Sequence, residues 1–219
     1  MQKQRLDFLK RFMSTVCPTG YEEEAARVWR EEAGRFADRT WVDVNGNAVA
    51  AINEKAPFRV MISGHLDEIG LMITYVDDGG FLSFTGLGGW DMAIIPGQRV
   101  RVRTARGTIL GVIGRKPIHL MKEEDRKALP KFEDLWIDIG AKNKAAALKL
   151  VSLGDPAVLD YGMDELRDGI LVGRGIDDRI GAFIALEALR LLKEKKTNVG
   201  VFALGSTQEE IGSRGPQTC

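Results

Sequence analysis

Cysteine and histidine are scarce in this chain: two of each in 219 residues. Cys17 and Cys219 stand at opposite ends of the sequence and match no CxxC spacing, which excludes a zinc ribbon and a dithiol redox motif. They read as reduced thiols in a reducing compartment. An excess of either charge is also absent. Lys+Arg and Asp+Glu each number 31, for a formal net charge of zero. No basic surplus points to nucleic acid or to an anionic membrane. No run approaches the roughly 20 apolar residues of a membrane span. The opening stretch MQKQRLDFLKRFMSTV is charged throughout and lacks a signal-peptide core. The expectation is a cytoplasmic protein that binds neither nucleic acid nor membrane. What remains is an ordinary globular balance, 44% hydrophobic and 28% charged, enough for one large domain or two small ones.

Leu6, Leu9, Met13 and Val16 follow helical spacing and predict an N-terminal helix. Thr19 and Glu22 have capping-box spacing and predict a second helix running to about Phe36. Asn45-Gly46 between TWVDV and AVAAI predicts a β-hairpin. FRVMISG, residues 58–64, reads as a buried strand. From about residue 70 to 162 short strands (LMITYV, FLSF, RVRVRT, TILGVIG, LWIDIG) alternate with Gly- and Pro-containing turns, the pattern of a small barrel or sandwich. KNKAAALKL, 142–150, is the helix expected within it, and Ile118 to Lys131 reads as a surface loop or short helical excursion. Then ILVGRG predicts a strand and turn, RIGAFIALEALRLLKEK an amphipathic helix over 179–195, and NVGVFALGS a buried strand over 198–206. The simplest organisation is an α/β domain made of 1–67 and 163–219, interrupted by a β-rich insertion over 68–162.

Three clusters carry potential chemistry. In Ser63-Gly64-His65-Leu66-Asp67-Glu68, His65 directly follows an apolar strand, where α/β sheets gather ligands. A metal-bound imidazole usually donates its other N–H to an acceptor, so His65 as ligand with Asp67 behind it fits. The plainer reading is a surface turn. In Gly173-Arg174-Gly175-Ile176-Asp177-Asp178-Arg179, Asp178 stands where a phosphate loop would carry its third glycine, and two acids would repel phosphate. A carboxylate there can bridge two metal ions. Simple capping of the following helix is the competing reading. In Ser206-Thr207-Gln208-Glu209-Glu210, two adjacent carboxylates again follow a strand. Their side chains diverge, so one can ligate a metal while the other acts as general base. A charged turn explains the pair equally well in isolation. The three taken together, imidazole and carboxylates without thiolate, suit zinc, cobalt or manganese at a hydrolytic site.

SGHLDEIGLMIT, GRGIDDRIGA and STQEEIGSRG, in that order, closely resemble the motifs of the tetrahedral, TET-type aminopeptidases, whose members include glutamyl and deblocking aminopeptidases and some proteins labelled endoglucanase. IPGQRVRV…GVIGRKPIHL and FEDLWIDIGA extend the resemblance through the insertion. The resemblance implies a zinc-exopeptidase-like mixed sheet flanked by helices, and a PDZ-like or barrel insertion used for dimerisation. It implies two divalent ions, zinc foremost, with His65 on one, Glu210 on the other, and Asp177 bridging both. Glu209 would be the general base and Asp67 would orient His65. The substrates would be peptides cleaved at the N-terminus, and the partners further copies of the chain, dimers assembling to a dodecamer.

The resemblance also implies two ligands that lie beyond Cys219, an Asp downstream of the Glu pair and a His further on. His119 lies in the insertion and does not replace them. The sequence is therefore expected to be a fragment, a frameshifted product or a shortened paralogue. If the further segment is not encoded, the 219-residue chain is expected to bind metal weakly and turn over nothing. Two other readings stand beside the aminopeptidase: a non-catalytic assembly subunit of the same fold, and a glycosidase using paired carboxylates.

Overall fold

The computed structural model describes residues 2–195 and 197–219. Its internal contacts divide the chain into two units. One runs up to Glu68 and resumes over Tyr161–Cys219; the other is Ile69–Asp160.

The first unit opens with α1 (Lys3–Met13) and α2 (Glu23–Ala33). Phe8, Leu9, Phe12 and Met13 of α1 and Ala25, Val28, Trp29 and Ala33 of α2 recur at helical spacing and are buried in one core. The capping box expected at Thr19 does not form. Glu22 occupies the N-cap of α2 without a side-chain cap bond. Its carboxylate instead accepts the Gly20 N–H at 2.8 Å and the Gln208 N–H at 2.9 Å. Strands β1 (Arg39–Val42) and β2 (Ala48–Ile52) form the expected antiparallel hairpin. β3 (Arg59–His65) follows.

The second unit holds β4 (Gly70–Val76), β5 (Leu82–Leu87), β6 (Arg99–Thr104), β7 (Gly107–Arg115), α3 (Glu123–Lys127), β8 (Leu135–Asp138), α4 (Lys144–Ala147) and β9 (Pro156–Leu159). Its six strands close into a barrel in the order β4-β5-β8-β7-β6-β9. Closure removes sheet edges. The barrel interior is filled by Leu71, Ile73, Leu82, Phe84, Val100, Val102, Ile113, Leu135 and Ile137. The helix expected over 142–150 shrinks to the four residues of α4, whose N-cap Asn143 accepts the Ala146 N–H at 2.9 Å. PAVL at 156–159, which did not stand out in the sequence, supplies the strand that completes the ring.

The chain returns to the first unit through the short pair β10 (Met163–Glu165) and β11 (Leu171–Gly173), then α5 (Ile176–Lys195) and β12 (Gly200–Ser206). β12 pairs parallel to β3 and antiparallel to β2, giving a mixed sheet in the order β1-β2-β12-β3. This is an α/β fold with a mixed sheet. β12 is central and buried, as its sequence predicts. β3 is not the buried strand its apolar run suggests. It lies at the end of the sheet order, and Phe58, Val60 and Met61 are exposed. Only its last two residues, Gly64 and His65, are buried.

α5 packs on this sheet through Ala182, Phe183, Ala185, Leu186 and Leu189. Burying each larger apolar side chain contributes about 1.5–3 kcal/mol. Gly64 permits the closest approach: a Cβ there would stand 2.1 Å from the Ala182 nitrogen. That contact places the start of α5 over the end of β3, where the functional clusters lie. Among the described residues no helix is long and apolar enough to cross a membrane.

Candidate active site

The parallel register of β12 on β3 sets Ser206 beside His65. Both strands therefore end at the same level, and the two segments beyond them emerge together. The N-terminal end of α5 meets them from the third side. Five of the residues singled out in the sequence, His65, Asp67, Asp177, Glu209 and Glu210, come together at this junction within the first unit.

His65 is buried, and its ring is fixed at both nitrogens. The Asp67 carbonyl oxygen, an acceptor only, lies 3.0 Å from Nδ1. The Asp178 N–H, a donor only, lies 2.9 Å from Nε2. Nδ1 therefore donates to that carbonyl and Nε2 accepts from the Asp178 N–H. Nε2 stands 3.4 Å from Asp177 Oδ1 and 3.8 Å from Glu209 Oε2.

The two adjacent aspartates separate cleanly. Asp178 Oδ1 accepts the Gly181 N–H at 3.0 Å, so Asp178 caps the regular part of α5. Asp177 has its side chain 94% exposed beside His65. The peptide between them is cis. Capping, one of the two competing readings of the pair, thus falls to Asp178, while Asp177 is left exposed beside His65.

Asp67 is fully buried, with its carboxylate near the imidazole. Its nearer oxygen is 3.6 Å from His65 Nδ1. Oδ1 and Oδ2 accept the N–H groups of Glu209 and Glu210 at 3.2 and 3.1 Å. The backbone carbonyl of Asp67 orients His65, while its carboxylate holds the Glu pair. Glu209 Oε1 accepts the Ser213 hydroxyl at 2.7 Å, leaving Oε2 toward His65. Burial pushes the Glu210 carboxyl up, and the charges of Asp67, Asp177 and Glu209 add to that rise.

Glu68, the next residue, sits in a buried ion cluster that sequence reading did not anticipate. It pairs with Arg174 and, at 3.3 Å, with Arg179, which is wholly buried. Arg179 also donates to the Phe12 carbonyl and the Thr15 hydroxyl. This cluster fastens the segment bearing Asp177 to the loop after α1. Cys17 borders it, 3.7 Å from Glu68, and burial pushes its thiol up to about 12, so it stays protonated and inert. His119 lies in the other unit.

The donor set suits a borderline divalent ion: imidazole and carboxylates, no thiolate. Two donors at zinc bond lengths in a tetrahedral set stand roughly 3.3–3.4 Å apart, and the His65–Asp177 pair meets that spacing. Among the described residues no group of three or more His, Cys, Asp or Glu is disposed to hold one ion. The fit thus rests on the His65–Asp177 pair and the charge-crowded Glu210.

Residues 46–219 match the M42 glutamyl aminopeptidase family. The chain belongs to this family. A TET aminopeptidase from a marine sediment archaeon, Thaumarchaeota archaeon SCGC AB-539-E09, superposes with a TM-score of 0.94 at 34% identity, over 98% of this chain and 61% of that one. The Pyrococcus horikoshii TET1 peptidase, which assembles into a tetrahedron or a large octahedral shell, gives 0.88 at 36% identity, over 98% and 64%. The lysyl aminopeptidase of Pyrococcus furiosus is 29% identical over 95% of this chain and 60% of its own length. The chain spans about six-tenths of the length of the M42 relatives it matches.

Proposed function

We propose that this chain carries part of the catalytic centre of a metal-dependent aminopeptidase that removes N-terminal residues from peptides. The observation that carries the reading is the setting of His65: Nδ1–H is spent on the Asp67 carbonyl, and Nε2 stands 3.4 Å from the exposed Asp177. In this reading His65 holds one ion, Glu210 the second, and Asp177 both. Zinc is the expected metal; cobalt and manganese suit the same donors. When bound, such ions polarise an amide carbonyl and lower the pKa of water. Glu209, held by Ser213 at one oxygen with the other turned toward His65, would take a proton from the attacking water and pass it to the departing amine nitrogen. Asp67 keeps Glu209 and Glu210 in place through their backbone N–H groups.

The barrel unit would serve assembly into dimers and larger shells, as the TET1 relative's assembly supports. The cytoplasm is the proposed location; it agrees with two free cysteines and no disulfide. The test is to express the natural reading frame and measure zinc content with hydrolysis of aminoacyl-p-nitroanilides. The expected result is bound zinc and turnover that Glu209→Gln lowers by about 10²–10⁴. A folded protein with neither zinc nor turnover would leave the assembly-subunit reading in its place.

A further inference from the structure

The segment that carries Glu209 and Glu210 leaves β12 at Ser206 and belongs to no helix or strand until Pro216. Its carbonyls are satisfied by its own return. Thr207 O accepts from Gly215 N–H at 3.0 Å, Gln208 O from Arg214 N–H at 3.1 Å, and Glu209 O from Ser213 N–H at 2.8 Å. The N–H groups of residues 207–210 go elsewhere. Four consecutive donors, those of Thr207, Gln208, Glu209 and Glu210, end on side-chain oxygens. Asn47 Oδ1 takes the first at 2.9 Å, Glu22 Oε1 the second at 2.9 Å, and the two oxygens of Asp67 the third and fourth.

These acceptors come from three different places in the fold: the β1–β2 turn, the N-cap of α2 and the loop after β3. All three residues are buried; Asn47 and Asp67 are fully so and Glu22 is 6% exposed. Asn47 is itself fixed, donating through Nδ2 to Asp43 Oδ2 at 2.7 Å and to the Gly215 carbonyl at 2.9 Å. A buried carboxylate costs free energy unless hydrogen-bonded, so Glu22 is held where its donors are. Gln208 takes φ +53, a left-handed conformation costing a non-glycine residue of order 1–3 kcal/mol. Such a conformation persists only where its surroundings dictate it, and the N–H of Gln208 is the one Glu22 receives.

We propose that Glu22 and Asn47 are positioning residues: with Asp67 they form a ladder of acceptors that sets the backbone of residues 207–210, and so the direction in which Glu209 and Glu210 diverge. Their consequence for metal rests on the reading given under Proposed function; the ladder itself does not. Neither residue touches the reacting atoms. Glu22 acts through Gln208, and Asn47 through Thr207.

The test pairs two readouts on the full chain. Hydrogen exchange of the 205–213 segment, without metal, reads the ladder alone. Zinc and cobalt(II) titrations, followed by the visible spectrum of bound cobalt, read its effect on the site. In Glu22→Ala the Gln208 amide should exchange at least tenfold faster, and metal affinity should fall by about 10–100-fold, the usual cost of losing a partner behind a ligand. Glu22→Gln, which keeps one acceptor oxygen, should restore both, whereas a merely structural loss of charge would not be rescued. If Glu22→Ala does not fold, Glu22→Asp, with its acceptor drawn back by one methylene, takes its place. Unchanged exchange in the variant overturns the ladder. Faster exchange in the variant with no metal bound by the wild-type protein expressed from its natural reading frame leaves the ladder standing and overturns the metallopeptidase reading instead.

Discussion

The two units are built on opposite principles. Every buried polar or charged residue among the described residues lies in the first unit: Arg5, Glu22, Glu32, Asn47, His65, Asp67, Glu68 and Arg179 are among them. The barrel unit has none; its core is apolar throughout. Burying polar groups is costly unless each is paired. The barrel avoids that cost and is a packed scaffold. The first unit accepts it at the ends of β3 and β12, where Asp67, Glu68, Glu22 and Asn47 hold the segments that carry the exposed Asp177 and the half-buried Glu209 and Glu210. Buried charge therefore marks the unit in which position matters most.

The largest effect should come from breaking that buried network. Glu68→Ala strands Arg174 and Arg179 without their carboxylate and is expected to cost about 3–5 kcal/mol. Urea unfolding followed at Trp29 and Trp41, with Trp90 and Trp136 replaced by Phe, would report on the first unit alone. A loss below about 1 kcal/mol would erase the contrast between the units. Next comes the barrel. Ile137 is fully buried there, and Ile137→Ala should cost about 2–5 kcal/mol at Trp90 and Trp136 while leaving metal affinity unchanged. A change in metal affinity would show that the scaffold is not separable from the site. The smallest effect lies on the surface. The Lys193 side chain, and then the Asn53 N–H, hold the Asp38 carboxyl below the usual carboxylate range. A folded pKa so depressed adds stability above the unfolded carboxylate pKa, which is lost as pH falls through the folded value. Asp38→Asn should therefore lower stability at pH 7 and converge with wild type once the pH has fallen through the depressed folded value. Solvent screening keeps the difference under about 1 kcal/mol.

Much of this was readable in the residues, for a physical reason. α5 and β12 are long and strongly patterned, and their burial follows the pattern. The barrel was legible as short strands between turn residues. The clusters at His65, Asp177 and Glu209 stood out because doubled acids after apolar strands are costly without a purpose. What escaped was non-local. Thr19 and Glu22 have the spacing of a local cap, yet Glu22 is claimed by Gln208, far along the chain. Nothing local in the sequence pairs Arg174 and Arg179 with Glu68; the fold brings the three together. β3 reads as buried because its run is apolar, but burial depends on having neighbours on both sides. The helix at 142–150 has the right composition for a longer element than the four residues that form.

The sharpest test of the central claim separates the two adjacent aspartates. Cobalt(II) binding should be measured for the wild-type chain, Asp177→Asn and Asp178→Asn. The exposed Asp177 faces His65, whereas Asp178 caps α5, a role asparagine fills equally well. Asp177→Asn should weaken binding at least tenfold, and Asp178→Asn should leave it within about twofold, since a cap exchange is worth only tenths of a kcal/mol. Equal losses in the two variants, or no loss in Asp177→Asn, would contradict the placement of the metal at His65 and Asp177.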